Sequence, residues 1–196
     1  MTDKQIAMIR ELGANVRRVA GEGAAGAVMQ GASELNARTD SVALAEWVEG
    51  AMERLDERLL KGQREEIMAA CGRNCAKVNH RAIEAFRKRR AKYPTLDDFL
   101  EAESKAPMTG TKLWRDGSAI IQAYRPAEFS HPMRCYCSLV SGLPSGRSMS
   151  STYCQCSRAF VQQMWQEALG QPVSVDLLQS AISGGTECHF CITLQV

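Results

Sequence analysis

Long apolar runs are missing from this sequence: no stretch approaches the roughly eighteen consecutive apolar residues that a membrane-spanning helix needs, so no membrane partner is expected. The opening residues, MTDKQIAMIRELGANVRRVAGEG, lack the apolar core of a secretory signal. An excess of one charge is also missing. The 24 Lys and Arg against 22 Asp and Glu leave +2 at pH 7, with a pI near 8.1, which gives no indication of a nucleic-acid or polyanion partner. These absences point to the cytoplasm, where thiols stay reduced and a set of cysteines reads as metal-binding or catalytic rather than disulfide-bonded. An oxidising compartment would reverse that reading, and the even count of eight cysteines leaves room for it.

The 196 residues, 45% hydrophobic and 23% charged, suffice for one sizeable core or for a core with a helical subdomain. Residues 1–107 read as mainly helical. SVALAEWVEGAMERLDERLL carries Val42, Leu44, Trp47, Val48, Met52 and Leu55 at helical spacing, with Asp40 or Ser41 as N-cap. REEIMAACGRNCAKVNHRAIEAFRKRRAKY predicts a second helix that breaks near Gly72 and ends before Pro94. PTLDDFLEAESKA predicts a third, opened by a Thr95–Asp98 capping box. Residues 108–196 change pattern, as a separate unit or as part of one continuous domain. Asp116-Gly117 between alternating segments predicts a hairpin. RAFVQQMWQEALG predicts an amphipathic helix stopped at Gly170. PVSVDLLQSAISGG and ECHFCITLQV close the chain as a strand, a turn at Gly184-Gly185 and a last strand. Helices followed by antiparallel strands give an α+β fold class.

The segment CYCSLVSGLPSGRSMSSTYCQC holds four cysteines at its two ends. Read as a second hairpin turning at Ser145-Gly146, it places Cys135 opposite Cys156 and Cys137 opposite Cys154. Alternation then puts all four on one face, with opposed Cβ atoms roughly 4.5–5.5 Å apart. Four thiolates so gathered suit zinc or an iron–sulfur cluster. The competing reading is four small, half-buried packing residues. Cys71 and Cys75, four apart on a helix, are secondary candidates, either completing the site or belonging to a core stripe with Met68 and Val78. In the last strand Cys188 falls with Phe190, Ile192, Leu194 and Val196 on one face and reads as core. His189 and Cys191 take the other face and join the secondary candidates. A Cys–His nucleophile pair drawn from His80, His131 or His189 is a further possibility.

Two motifs lead elsewhere. GEGAAG at residues 21–26 matches a dinucleotide fingerprint in letters only, because no apolar strand precedes it; a turn or close helix packing is expected. FRKRRAK at residues 86–92 reads as the solvated, dipole-compensating end of a helix.

YCQCSRAFVQQMWQEALGQPVSVDLLQSAISGGTECHFCITL resembles the end of the vinyl-reductase-type ligand-binding domains, through Gly170, Val173, Val175, Gly184, Gly185, Cys188 and Phe190. A similar ending occurs in amino-thiazoline-carboxylate hydrolase-like proteins, and the whole chain looks like a bacterial family of uncharacterised function. The resemblance, which covers about residues 130–196, implies an antiparallel sheet packed by helices, often dimeric, holding a small-molecule ligand or a metal. The doubled Cys-x-Cys departs from that pattern. The expected function is a sensor-like binding protein with a thiolate site at Cys135, Cys137, Cys154 and Cys156. The alternatives are a small-molecule hydrolase acting through a cysteine or metal-bound water, and a homodimeric interaction domain with structural cysteines.

Overall fold

The computed structural model describes residues 1–108, 110–125 and 134–195. Within them the fold is α+β, with the helices leading and a four-stranded antiparallel sheet behind.

Helix α1 (Asp3–Val28) opens on a capping box between Thr2 and Gln5 and kinks at Gly21, whose φ of 83° is a left-handed value suited to glycine. The GEGAAG run therefore lies inside a kinked helix, without the strand that a dinucleotide site requires. Helix α2 (Ser41–Arg58) is capped by Asp40, whose carboxylate accepts from the Val42 and Ala43 N–H groups at 2.9 Å each. The long second helix divides into α3 (Lys61–Val78) and α4 (His80–Arg90), and the break falls at Asn79 rather than near Gly72. The Asn79 amide donates to the Cys75 carbonyl at 2.8 Å, a local bond that satisfies an end of the helix and favours stopping there. The basic run closes α4: Arg89 pairs with buried Glu103, and Arg90 donates to the Tyr93 carbonyl at 2.8 Å. Helix α5 (Leu96–Lys105) has the expected Thr95–Asp98 capping box.

Strands β1 (Thr111–Asp116) and β2 (Ala119–Tyr124) form the hairpin expected at Asp116-Gly117, with Gly117 at φ 57°. Strands β3 (Val173–Gln179) and β4 (Cys188–Leu194) complete a sheet of order β1-β2-β4-β3. The register places Leu113, Gln122, Phe190 and Leu177 in one row across it, on the face that also carries Ile120, Ile192 and Val175. That face packs with Phe86, Phe99 and Trp165 into one core cluster. A second cluster, built on Val16, Val28, Leu44, Met52, Leu55 and Ile67, lies among α1, α2 and α3. Helix α6 (Ser151–Leu169) contributes Trp165 and Val161 to the first and Tyr153 and Cys154 to the second.

One buried polar contact locks α6 onto the sheet: Trp165 Nε1 donates to Gln122 Oε1 at 2.6 Å, with both side chains buried. Gln122→Leu leaves that N–H unpaired and should cost about 1–3 kcal/mol in a urea titration. An unchanged midpoint would show the bond to be dispensable.

The expected second hairpin does not form. Residues 134–150 run as turns and irregular chain, and α6 begins at Ser151, seven residues before the expected Arg158. Ser150 caps it, its hydroxyl accepting from the Thr152 N–H at 3.1 Å. No glycine or proline interrupts the chain from there to Gly170, which ends the helix in a left-handed conformation as expected.

Candidate thiol site

The helical start of α6 changes the geometry of its cysteines. Residues two apart on a helix are about 200° apart around the axis, so Cys154 and Cys156 diverge instead of sharing a face. Cys154 is buried, and its Sγ lies 2.8 Å from Ser180 Oγ. Cys156 lies on the α3 side. There α3 and α6 approach so closely that a Cβ on Gly72 would stand 2.2 Å from the Cys156 carbonyl oxygen and 2.8 Å from Ala159 Cβ. The glycine expected to break the helix is the point that lets α6 dock on it, next to Cys71 and one turn from Cys75.

Cys135 and Cys137 arrive from the irregular segment. Leu139, Val140 and Leu143 bury themselves in the helical core. A Cβ on Gly142 would meet the Ser41 backbone at 2.2 Å, so the segment presses directly on the start of α2. Gln5 donates to the Ser138 carbonyl at 2.9 Å, Arg147 pairs with Glu46 and Glu49, and the Met149 N–H donates to the Ile182 carbonyl at 2.9 Å. Thus anchored, Cys137 Sγ accepts from the Tyr153 hydroxyl at 3.0 Å, and the Cys137 N–H points at Cys135 Sγ at 3.4 Å.

The electrostatic neighbours trace one group. A charge on Cys137 raises the pKa of Cys75, Cys135, Cys154, Cys156 and Tyr153. Cys71 acts on Cys156, and Cys188 acts on Cys135 and Cys154. Seven of the eight cysteines are therefore linked, with Cys137 at the centre. All eight are free thiols. Burial is the largest cause of every thiol shift in the group: it pushes Cys71 up to about 11, against the Asn15 amide, and Cys154 up to about 11, against the Ser180 hydroxyl. Cys75, Cys135, Cys156 and Cys188 are raised by the same cause. Low-pKa thiolates are the reactive ones, so these six are set up as neutral thiols rather than as activated nucleophiles.

The shifts dictate a pH dependence. A thiol whose folded pKa lies above its unfolded one stabilises the fold fully below the unfolded value, and that contribution disappears as pH rises through the folded value. Starting from the ordinary 9.0 and reaching about 11 for Cys71 and Cys154, stability should fall between those two values. Thermal melts across that window, read beside ultraviolet thiolate absorbance, should show melting fall as thiolates appear. A melting temperature independent of pH there would contradict it.

The remaining candidates lie elsewhere. Cys191 pairs across the sheet with Ile121 and Asp176, and His189 with Ala123, all on the face opposite Cys188 and Phe190. His189 Nε2 lies 3.0 Å from Glu187, which also pairs with Arg125 at 2.7 Å, and the imidazole stands edge-on to Trp114. His80 begins α4, and His131 lies outside the described residues. Among the described residues, no group of three or more His, Cys, Asp or Glu side chains is placed to hold a metal ion, and the tetrahedron drawn from opposed strands does not form. Tyr153, Asn15, Ser180 and Cys188 were not anticipated as members. Only Cys188 left a signal, since its core-facing alternation points it to the side where Cys154 lies. No helix among the described residues is long and apolar enough to cross a membrane.

In comparison with known proteins, the chain matches over residues 3–196 the family described as "Family of unknown function (DUF6144)", and it belongs to that family. No curated protein matches it.

Proposed function

Starting from membership of a family without an assigned function, we propose that the chain carries a polynuclear thiolate metal centre, an iron–sulfur cluster, and acts as a binding or sensor protein through it. One observation carries the reading: Cys75 of α3, Cys135 of the irregular segment and Cys154 and Cys156 of α6 each feel a charge on Cys137, while Cys71 is linked through Cys156, and Cys188 of β4 through Cys135 and Cys154. Thiolate-rich donor sets select zinc, copper(I) or iron–sulfur clusters. A lone zinc at Zn–S near 2.3 Å needs four sulfurs about 3.8 Å apart, whereas an iron–sulfur cluster takes its cysteine ligands over a wider span. Cys135, Cys137, Cys154 and Cys156 are the first ligand set, faced by Cys71 and Cys75 from α3. Ligation must remove a proton from each neutral thiol, so binding strengthens as pH rises.

Purification under anaerobic conditions, followed by iron, zinc and acid-labile sulfide analysis with a visible spectrum, tests this. Iron with matching sulfide and a charge-transfer band is expected. Stoichiometric zinc without sulfide would replace the cluster by a mononuclear site, and a folded, metal-free protein would remove the reading.

The hydrolase alternative keeps one supporting observation, the Tyr153 hydroxyl donating to Cys137 Sγ, since such a donor steadies a thiolate. It requires Cys137 to alkylate much faster than the other seven thiols.

A further inference from the structure

A cleft of about 520 Å³ opens where α3 lies between α1 and α6, a size suited to a small organic ligand. Helix α3 brings Arg73 and Lys77 to it, one turn apart, and His80 follows at the start of α4. Helix α1 contributes Glu11 and Asn15, and α6 contributes Glu167.

Two properties separate this cleft from an ordinary solvated helix surface. Its charges are of both signs and, apart from Arg18, which pairs with Glu66 at 2.8 Å, are not used up in ion pairs among the described residues. Among the described residues, Arg73 and Lys77 take part in no ion pair. Among the described residues, Glu11 and Glu167 are held only by neutral amides, Asn15 Nδ2 at 3.2 Å and Gln163 Nε2 at 3.0 Å. The other property is a connection inward. Asn15 is buried, and the same Nδ2 that holds Glu11 lies 3.5 Å from Cys71 Sγ. One amide thus touches both a carboxylate of the cleft and a sulfur of the thiol group.

We propose that the cleft binds a small zwitterion of amino-acid size, and that its occupancy is passed to Cys71 through Asn15. Arg73 and Lys77 receive the carboxylate, with His80 at the cleft's end, while Glu11 and Glu167 receive the ammonium. An ammonium on Glu11 competes with the Asn15 amide for the same oxygen and resets the hydrogen bond that Asn15 makes to Cys71. Binding stands independently of the metal centre; the coupling rests on Cys71 belonging to the thiol site.

The test titrates the full chain calorimetrically with L-alanine, L-glutamate and L-lysine, and with propionate and propylamine, which each carry one of the two charges. Saturable binding of at least one amino acid is expected, with both single-charge compounds at least about tenfold weaker. The R73A/K77A pair and Glu167→Gln should each weaken it by about tenfold or more at unchanged circular dichroism, since these side chains are exposed. No saturable binding, or propionate binding as well as the amino acid, would overturn the assignment. For the coupling, the alkylation rate of Cys71, followed by peptide mass spectrometry, should change several-fold with the amino acid bound. That change should vanish in Asn15→Ala and in Glu11→Gln, the latter altering the less buried partner in case the former folds poorly. An unchanged rate in the unsubstituted chain would overturn the coupling. A metal-free protein that still binds the amino acid would remove the cluster and leave the cleft assignment standing, so the two failures are distinguishable.

Discussion

Gly72→Ala should be strongly destabilising, costing about 3 kcal/mol or more. The added methyl would sit 2.2 Å from the Cys156 carbonyl oxygen, 2.8 Å from Ala159 Cβ and 3.0 Å from the Cys156 carbonyl carbon. Two of these neighbours are backbone atoms in the middle of α6 and cannot rotate away as a side-chain tip would. Relief requires α3 and α6 to separate, and overpacking of that kind costs about 1–3 kcal/mol even where side chains can yield. Gly62→Ala on the same helix is the control. Nothing lies within 4 Å of its Cβ, so it should be neutral or gain up to about 1 kcal/mol from helix propensity. Urea titrations of both variants decide the matter. Alkylation of Cys71, Cys75 and Cys156 should also accelerate in Gly72→Ala alone, because the helix contact covers them. Equal stability of Gly72→Ala and the unsubstituted chain would mean that the close approach is not part of the fold.

The Cys135→Ser/Cys137→Ser pair should abolish metal binding, lowering bound iron and sulfide by at least about tenfold while leaving the helical signal intact. These two cysteines are half-buried against the core but sit outside the regular elements, on a segment anchored separately by Leu139, Val140, Leu143 and the Gly142 contact, so the near-isosteric serines leave the helices and sheet formed. Cys191→Ser should retain full occupancy, since its strand position faces away from Cys188 and the thiol group. Tyr153→Phe, which removes the hydroxyl bonded to Cys137 Sγ, should fall between the two. Loss of metal in Cys191→Ser, or its retention in the double variant, would place the centre elsewhere.

The parts of the fold legible in the sequence were those decided locally. Asp40 as a cap, the Thr95–Asp98 box, the Asp116-Gly117 turn and the stop at Gly170 each depend on a few neighbouring residues, and each stands as expected. The alternation of the last strand correctly sent Cys188 and Phe190 inward and His189 and Cys191 outward. The cysteine hairpin failed because Cys-x-Cys has different consequences in the two regular structures: one face in a strand, two in a helix. The choice turned on Ser150 as a cap and an unbroken helical run behind it, a signal present in the sequence but outweighed by the symmetry of the four cysteines. Gly72 was read as a break because glycine weakens a helix; its real role depends on α6, more than eighty residues away, which no local pattern contains. Asn15 joins the site for a similar reason, through a neighbour 56 positions distant. Cys71 and Cys75 were legible as a helical pair, but not which surface they would meet.

Several sulfurs around Cys137 should together hold more than one metal ion. X-ray absorption at the metal edge of the anaerobically purified chain, or of chain reconstituted with ferrous iron and sulfide, tests it most directly. The expected spectrum has a first shell made of sulfur and a second shell of metal–metal scattering. A sulfur shell without metal–metal scattering, a shell of nitrogen or oxygen, or failure to retain any metal would contradict it.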